Sequence, residues 1–312
     1  MRLVASLAWL LAFVAQPAFA ASSPQLAPLE QRLAGLATEN PGEYGFAALD
    51  LTNGDMVSFN GHQSFPMAST VKVAIAAVYL AEVDAGRRRL DDMIGSTTAG
   101  ALMDAMITHS DNRATDQLLA SLGGPVMVDS WLRNHQLRSI RVDRTIAQLL
   151  SDRRDLRDIR DSSTPMAMID LLRLIDTGDA LSPSSRAVLL DMMRRCATGS
   201  NRIRGILPPG AGVEHKTGTL NGYTGDVGFL TLADGRRIAV VFFARGGSNR
   251  PAVIATAARA IYDGFSAQGL AGQYGRRVVQ AGSGPAAGVS FAREAPRTST
   301  CLLGGQLVQA QC

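Results

Sequence analysis

The chain has 312 residues, of which 46% are hydrophobic and 19% charged, and its formal net charge is +4. This balance excludes a disordered chain and a membrane protein with several spans, and at ~100–200 residues per domain the length indicates one large domain or two modest ones. The basic residues are scattered and only 5% of residues are aromatic, so we expect no nucleic-acid partner.

The amino-terminal segment, residues 1–20, has the pattern of a secretory signal peptide. A positive charge at Arg2 precedes an apolar stretch from Leu3 to Val14, and Ala18-Phe19-Ala20 forms a small-x-small cleavage site. No later segment has about 18 uninterrupted apolar residues, so we expect an exported protein without a membrane anchor, secreted or periplasmic. A segment retained as an anchor is the alternative.

The next part of the chain alternates between helical and extended patterns. Periodicity predicts a helix over Gln25–Glu39, which Asn40-Pro41-Gly42 ends, and strands over Tyr44–Leu51 and Met56–Phe59 around an Asn-Gly turn. A long helix, apolar on nearly all sides in its first half, is predicted over Ser69–Ala85.

Helical patterns dominate the middle of the chain, and strands return toward its end. Helices are predicted over Ala99–Arg133, Pro165–Thr177, Pro183–Cys196 and Pro251–Phe265. Strands are predicted over Gly212–Thr219, Asp226–Leu232 and Arg237–Ala244. Because strands flank a block of helices, the pattern indicates an α+β fold, an antiparallel β-sheet flanked by helices with a mostly helical lobe.

Three cysteines are too few for a disulfide scaffold, so the core must stabilise the fold. Cys196 lies in an apolar-periodic run and is expected to be a buried thiol. Cys301 and Cys312 could form a disulfide in an oxidising compartment. Residues 267–312 are rich in Gly, Ala, Gln and Ser, which predicts a weakly structured extension.

Lysine is rare in this chain. Of the 31 lysine and arginine residues only two, Lys72 and Lys216, are lysines. Arginine stays protonated in proteins, whereas a lysine ammonium loses its proton once its pKa is lowered. A coding bias that left two lysines by chance is the alternative, and the neighbouring residues decide between the two interpretations.

Ser69 lies three residues before Lys72, at the predicted start of the apolar helix. Residues three apart share one helix face, so the hydroxyl and the amine can meet. A hydroxyl becomes an effective nucleophile when a base takes its proton. Burial in an apolar helix lowers the pKa of a lysine, so that its neutral amine can serve as that base. Free backbone N–H groups at a helix start can also stabilise an oxyanion.

Two further short motifs follow, Ser110-Asp111-Asn112 and Lys216-Thr217-Gly218-Thr219. Taken alone, the first is typical of a helix N-cap and the second of a strand that runs into a turn. Each of the three motifs is weak by itself. Together, in this order and with both lysines of the chain, they favour a nucleophilic active site.

These motifs resemble the set by which class A β-lactamases and penicillin-binding proteins are recognised. The resemblance covers roughly Leu29 to Gly264, and the Ser-Asp-Asn form of the second motif is similar to class A more than to class C. Other segments that resemble class A sequences are Phe65–Val73, Val83–Gly86, Ile107–Asn112, Gly123–Pro125, Asp161–Pro165 and Arg202–Arg204. The resemblance implies a β-lactamase/transpeptidase-like catalytic domain over residues 21–266.

The resemblance also implies catalytic roles for three side chains. Ser69 would attack the lactam carbonyl and become acylated. Lys72 would accept or relay the proton, and Ser110 would pass a proton to the departing nitrogen. The backbone N–H groups of Ser69 and Thr219 would form the oxyanion hole.

Substrate binding is implied for four more residues. Asn112 would hydrogen-bond the side-chain amide of the substrate, and its carboxylate would be held by Lys216, Thr217 and Thr219. Lys216 would also lower the pKa of Lys72 by like-charge repulsion. We expect no cofactor and no metal, since the sequence has no His-x-His or His-Glu-x-x-His spacing, and we expect a monomer.

One departure from the family pattern concerns hydrolysis of the acyl-enzyme. Class A enzymes carry on a loop a glutamate that activates the hydrolytic water, and Arg144 and Asp161 would form the salt bridge across the neck of that loop. Counting forward from Arg144 places Ile146 at the glutamate position, and counting back from Asp161 places Gln148 there. Neither is an acid, so deacylation is expected to be slow unless another carboxylate serves.

Three carboxylates of the same loop, Asp152, Asp155 and Asp158, are the candidate replacements. Arginines alternate with them, so a solvated, ion-paired run is the first interpretation. A second departure is the short connection between Leu90 and Leu102, which predicts an open pocket that admits bulky substrates.

The sequence therefore predicts a secreted serine hydrolase that opens β-lactam amide bonds through an acyl-serine intermediate. A D,D-peptidase- or esterase-like serine acyltransferase is one alternative. A penicillin-binding protein that is acylated without turnover is the other. The expected partner is a small-molecule β-lactam or a cell-wall peptide.

Overall fold

A computed structural model describes residues 23–153, 155–281, 299–303 and 306–310. The chain divides into two units, residues 1–270 and residues 271–312. The predicted signal peptide, and Cys312 of the predicted cysteine pair, lie outside the described residues.

The helices of the described chain begin and end at the residues that their sequences favour. They are α1 (Ala27–Glu39), α2 (Lys72–Asp84), α3 (Ala99–Thr108), α4 (Asn112–Leu122), α5 (Pro125–Asn134), α6 (Ile146–Ser151), α7 (Pro165–Thr177), α8 (Pro183–Arg194) and α9 (Arg250–Ala281). Side-chain oxygens of the preceding residue accept a backbone N–H at the start of α3, α4, α6, α7 and α8. Left-handed glycines, Gly123 and Gly178, end α4 and α7.

The strands form one central sheet and three small pairs. They are β1 (Glu43–Asp50), β2 (Met56–Phe59), β3 (Phe65–Pro66), β4 (Met93–Ile94), β5 (Thr97–Thr98), β6 (Ser162–Ser163), β7 (Gly212–Leu220), β8 (Tyr223–Thr231), β9 (Arg237–Arg245), β10 (Ser299–Leu303) and β11 (Gln306–Ala310). The central sheet is antiparallel with the order β2-β1-β9-β8-β7. The small antiparallel pairs are β3 with β6, β4 with β5, and β10 with β11.

Each face of the central sheet buries a different core. Along β1, Phe46 and Ala48 pack into a core that includes residues of α1 and α9. Ala47 and Leu49 belong to the opposite core, which includes residues of α2, α7 and the helical lobe of α3 to α6 and α8. This alternation follows from the two-residue period of a strand. The predicted α+β fold is confirmed.

Two predicted helices differ in detail from the observed ones. The segment from Ala99 to Arg133 divides into three helices because Ser110, with φ of 58°, and the glycine pair Gly123-Gly124, with φ of 99° and 88°, leave the helical conformation. The apolar helix begins as a 3₁₀ turn over Ala68–Val71 before α2 continues.

The carboxyl-terminal region has more regular structure than its composition predicts. Helix α9 continues to Ala281, beyond the predicted end at Phe265, and β10 and β11 pair in residues 299–310. Alanine, glutamine and arginine are favourable in helices, and no proline follows Pro251 before the end of α9. Within the described part of the chain, no helix is both long and apolar enough to cross a membrane.

Candidate active site

The 3₁₀ turn Ala68–Val71 presents Ser69 half-buried at the start of α2. Ala68 has φ of 48°, an unusual conformation for a residue other than glycine. Two hydrogen bonds fix this turn. Thr70 Oγ1 donates to the Met67 carbonyl at 2.8 Å, and Met67 N donates to the Asp161 carbonyl at 2.9 Å. A strained backbone conformation that the surrounding structure holds in place is typical of turns at functional sites.

Strand β7 passes directly against this turn. A Cβ atom at Gly218 would lie 2.6 Å from the Met67 carbonyl oxygen and 3.2 Å from the Ala68 Cβ. Only glycine therefore allows the strand to approach so closely. The contact brings the segment Lys216–Thr219 beside Ser69, although more than 140 positions separate them in the sequence.

Lys72 is fully buried and lies against the segment before α4. Its Nζ donates to Asn112 Oδ1 at 2.7 Å, to the Ser110 carbonyl at 2.8 Å and to Ser110 Oγ at 3.3 Å. Ser110 adopts a left-handed conformation, which aims both of these oxygens at the amine. Asp111 caps α4 by accepting the Ala114 N–H at 2.7 Å, so the N-cap interpretation of this motif is also correct.

Both lysines have lowered pKa values. The pKa of Lys72 is lowered to about 7, chiefly by burial and then by the positive charge of Lys216, while Asp111 and Asp116 oppose the shift. Burial also lowers the pKa of Lys216 to about 8. The expected repulsion between the two lysines therefore contributes, but burial is the larger cause.

Lys216 of β7 belongs to a chain of short polar contacts. Lys216 Nζ donates to the Thr217 carbonyl at 3.0 Å, and Thr217 Oγ1 lies 2.5 Å from Thr198 Oγ1. Thr198 Oγ1 in turn lies 3.4 Å from the sulfur of Cys196, a buried free thiol as predicted. Asn112 and Thr219 are exposed at the open side of this arrangement.

Arg202 also contacts the site, although the sequence did not predict it as a site residue. Its guanidinium donates to Thr219 Oγ1 at 2.6 Å, to the Gly218 carbonyl at 3.1 Å and to the Gly225 carbonyl at 2.9 Å. These bonds fix the end of β7 against β8. The segment Arg202–Arg204 was among those that resemble class A sequences, and that was the available signal.

Histidines next to the motifs do not face the reacting groups. His215 points away from Lys216 on β7, and its Nδ1 lies 2.8 Å from Asp226 Oδ1 with both side chains fully buried. His109 is exposed. In the described residues, no group of three or more His, Cys, Asp or Glu side chains is arranged to hold a metal ion.

The loop between Arg144 and Asp161 is closed by an ion pair at its neck. Arg144 Nε donates to Asp161 Oδ2 at 2.6 Å, and Asp161 Oδ1 accepts the N–H groups of Asp143 and Arg144 at 2.8 and 3.1 Å. The two side chains are only 10% and 8% exposed. Replacing Asp161 therefore removes the closest of the three carboxylates around the buried Arg144 charge, and it weakens the acceptor of two backbone N–H groups.

We expect Asp161→Asn to lower the free energy of unfolding by about 3 kcal/mol. The matched control is Asp191→Asn, which breaks the half-exposed ion pairs with Arg194 and Arg195 at the end of α8 and should cost at most about 1 kcal/mol. Denaturant titration of both variants measures the difference. Equal losses of stability would contradict the structural role of the loop ion pair.

Neither candidate position for the loop glutamate carries an acid, and the structure distinguishes the two positions. Ile146 is buried, and its N–H donates to Asp116 Oδ1 at 2.7 Å. Gln148 is exposed, and its Oε1 accepts the Thr145 N–H at 2.9 Å in a capping box. Position 146 therefore lies in the core against α4, whereas the side chain at position 148 caps the start of α6.

The other loop carboxylates are mainly engaged with arginines or backbone groups. Asp152 lies 2.8 Å from Arg144, and the hydrogen bond from Arg160 lowers the pKa of Asp158 to about 2. Asp155 is exposed, and its Oδ1 accepts the Arg157 N–H at 2.8 Å. This is the ion-paired surface run that the sequence indicated.

The connection from Leu90 to Leu102 is short in the structure, as its sequence length requires. It consists of the two-residue strands β4 and β5 joined by a turn at Gly95, and then the start of α3. Met93 in β4 is 62% exposed.

Comparisons with known proteins agree with the motifs. A family model described as the beta-lactamase enzyme family matches residues 28–265. Beta-lactamase OXY-2 of Klebsiella oxytoca is 29% identical, and beta-lactamase CTX-M-8 of Citrobacter amalonaticus is 30% identical. In both cases the match covers 76% of this chain and 89% of the relative.

Solved structures lead to the same family. The last common ancestor of Gram-negative bacteria beta-lactamase class A superposes with a TM-score of 0.72 at 35% identity, covering 77% of this chain and all of that one. A beta-lactamase from Chitinophaga pinensis has a TM-score of 0.71 at 29% identity, covering 76% and 98% of the two chains. The chain therefore belongs to the beta-lactamase enzyme family, as the class A resemblance of its motifs predicted.

Proposed function

We propose that this protein is a serine β-lactamase in which Ser69 opens the lactam amide and is acylated. Lys72 in its neutral form takes the proton of the Ser69 hydroxyl, and Ser110 delivers a proton to the departing nitrogen. The lactam carbonyl carbon gains the bond to Ser69 Oγ and loses its bond to nitrogen. The N–H groups of Ser69 and Thr219 stabilise the oxyanion.

The substrate carboxylate binds on the β7 side of the cleft. Lys216 supplies the positive charge, and Thr217 and Thr219 supply hydroxyl groups, while Arg202 keeps the Thr219 end of the strand in place. Asn112 is exposed beside the Lys72 amine, where its amide can bind the substrate side chain. The short β4–β5 connection leaves this side open for bulky substituents.

One observation carries the proposal: the buried Lys72 amine lies on the Ser110–Asn112 segment with its pKa lowered to about 7. A base whose pKa lies near the working pH is the most effective proton acceptor. The pKa of Lys216 is lowered only to about 8. Between these two values the Lys72 amine is neutral while Lys216 still carries the charge that attracts a carboxylate.

Acylation and deacylation make different demands on this site. The acyl-enzyme ester must be attacked by water, and a positioned base contributes about 10²–10⁴-fold to such a step. Ile146, the loop residue that is bound to Asp116 of α4, has no acid group, and Gln148 is not in a position to act, since its side chain caps α6. We therefore propose that deacylation is the slow step, which also favours the second candidate function, a protein that retains β-lactams as a stable ester.

Purified protein mixed with a chromogenic cephalosporin tests the function, with colour and intact mass followed together. We expect an initial burst equal to the enzyme concentration, a mass increase on the protein and slow turnover thereafter. A burst with no later turnover would favour the second candidate, a penicillin-binding protein. Absence of both colour and mass gain would contradict the proposal and favour a D,D-peptidase or esterase.

We further propose that the protein is exported and acts as a monomer. Export is supported by the pattern of residues 1–20, a positive residue followed by an apolar stretch and a small-x-small site. The hydrogen bonds that position Lys72 and Lys216 run to Ser110, Asn112 and Thr217, so the proposed site does not require residues of a second subunit.

A further inference from the structure

We propose that Thr198 is a positioning residue for substrate binding, the middle member of a hydrogen-bonded chain that also contains Cys196 and Thr217. The chain runs from the buried Cys196 thiol to the Thr217 hydroxyl, and it turns the proton of that hydroxyl toward the substrate carboxylate. The inference rests on the proposed function, since its effect is measured on the acylation of Ser69.

The segment Cys196–Gly199, which follows α8, packs closely against Thr217 of β7. Gly199 has φ of 73°, and a Cβ atom there would lie 2.5 Å from Thr217 Cγ2, so only glycine allows this approach. The same segment is bound to the end of α3, because Ala197 N donates to the Thr108 carbonyl at 2.9 Å. The segment therefore links the end of α3 to strand β7.

Two different groups of Thr217 are held by hydrogen bonds. Its carbonyl accepts from Lys216 Nζ at 3.0 Å, and its Oγ1 lies 2.5 Å from Thr198 Oγ1. Thr198 Oγ1 lies in turn 3.4 Å from Cys196 Sγ. Thr217 and Cys196 are only 4% and 3% exposed, so protein groups, rather than bulk water, supply most of their hydrogen bonds.

The substrate sets the direction of the protons in this chain. A carboxylate has no proton to give, so Thr217 must donate its single hydroxyl proton to it. The Thr217 oxygen then accepts a hydrogen bond from Thr198, whose own oxygen accepts from the Cys196 thiol. The reverse direction would end with a hydroxyl donating to sulfur, which is a weaker acceptor than oxygen.

This direction leaves the Thr217 proton available before the substrate arrives. A hydroxyl that accepts one hydrogen bond becomes a stronger donor in the next, because neighbouring bonds polarise one another. Its orientation is also set in advance, which reduces the entropy that binding costs. The carboxylate is bound both before and during acylation, so the chain should lower the substrate concentration for half-maximal acylation and leave the maximal rate unchanged.

Thr198→Val tests the chain by replacing the hydroxyl with a methyl group. Non-bonded heavy atoms pack at ~3.5 Å or more, so a methyl cannot stay 2.5 Å from Thr217 Oγ1 and must displace it. The penicillin concentration for half-maximal acylation should rise about tenfold, the loss expected for a hydrogen bond to a charged group. Thr198→Ser keeps the hydroxyl and should stay within about twofold of the wild type.

Intact mass against time, at several penicillin concentrations, gives both acylation parameters for each full-length variant. Cys196→Ala removes the first donor and should raise the half-maximal concentration about threefold, and Cys196→Ser should restore it. Thr177→Val is the matched control and should change neither parameter, since Thr177 Oγ1 lies 2.7 Å from Asp179 Oδ2 at the exposed end of α7.

The methyl ester of the same penicillin separates positioning from a general loss of structure. The ester lacks the negative charge that Thr217 binds, so Thr198→Val should be acylated by it within about twofold of the wild-type efficiency. An equal loss with both substrates would overturn the inference and leave the proposed function intact. With the free acid alone, an unchanged half-maximal concentration or a lower maximal rate in Thr198→Val would also overturn it. If the wild type forms no adduct with either substrate, the proposed function fails and the inference fails with it.

Discussion

Replacing Ser69 by alanine should abolish the covalent adduct with any β-lactam. The alanine has no oxygen to carry the acyl group, and the loss should exceed about 10³-fold in rate even if water reacts slowly in the same cleft. Intact mass after prolonged incubation is the measurement. An adduct of unchanged yield in Ser69→Ala would show that another side chain is the nucleophile.

Ser110→Ala is the informative partner of that experiment. Ser110 Oγ is 3.3 Å from the Lys72 amine and is proposed to carry the proton to the nitrogen, not the acyl group. This variant should therefore still form the adduct, more slowly by about 10²-fold. Loss of the adduct in both variants with retained folding would contradict this division of roles, and a peptide map of the wild-type adduct would then identify the acylated hydroxyl.

Replacing Lys72 by alanine should slow acylation by about 10²–10⁴-fold, the contribution of a positioned base. In the wild type the acylation rate should rise through about pH 7, where the Lys72 amine loses its proton, and fall above about pH 8, where Lys216 loses its charge. The sign follows from the lowered pKa values, since the neutral form of Lys72 and the charged form of Lys216 are both needed. The Lys72→Ala variant should lose the rising limb.

Lys72→Arg separates a base from a simple positive charge. A guanidinium keeps the charge but does not give up its proton in proteins, so this variant should be as slow as Lys72→Ala. Retention of most of the acylation rate in Lys72→Arg would contradict the assignment of Lys72 as the proton acceptor. Thermal unfolding of each variant confirms that the protein remains folded.

Short-range patterns were sufficient to predict most of the fold. Apolar residues alternate in β1 and β2 and recur with the helical period in the helices, and both patterns can be read from neighbouring residues alone. The observed elements lie near the predicted ones. The interruption at Ser110 was not predictable from propensity, because a left-handed serine is held by its tertiary contacts with Lys72. The continuation of α9 to Ala281 also differs from the prediction, which rested on the Gly, Ala, Gln and Ser content of residues 267–312.

The candidate site was predictable only where its residues form recognisable motifs. Ser69, Lys72 and Lys216 lie on elements whose packing brings them together through the contact at Gly218. Asp116 and Arg202 were not predicted as site residues because most of their partners are backbone groups, at positions 146 and 147 for one and on β7 and β8 for the other. Backbone partners leave no residue pattern in a single sequence.

The most direct measurement is a crystal structure of the protein reacted with a slowly hydrolysed β-lactam. We expect continuous density from Ser69 Oγ to the opened lactam carbonyl. The carbonyl oxygen should lie within hydrogen-bond distance of the Ser69 and Thr219 N–H groups, and the substrate carboxylate should lie beside Lys216. An acyl group on any other residue, or an intact lactam bound away from Lys216, would contradict it.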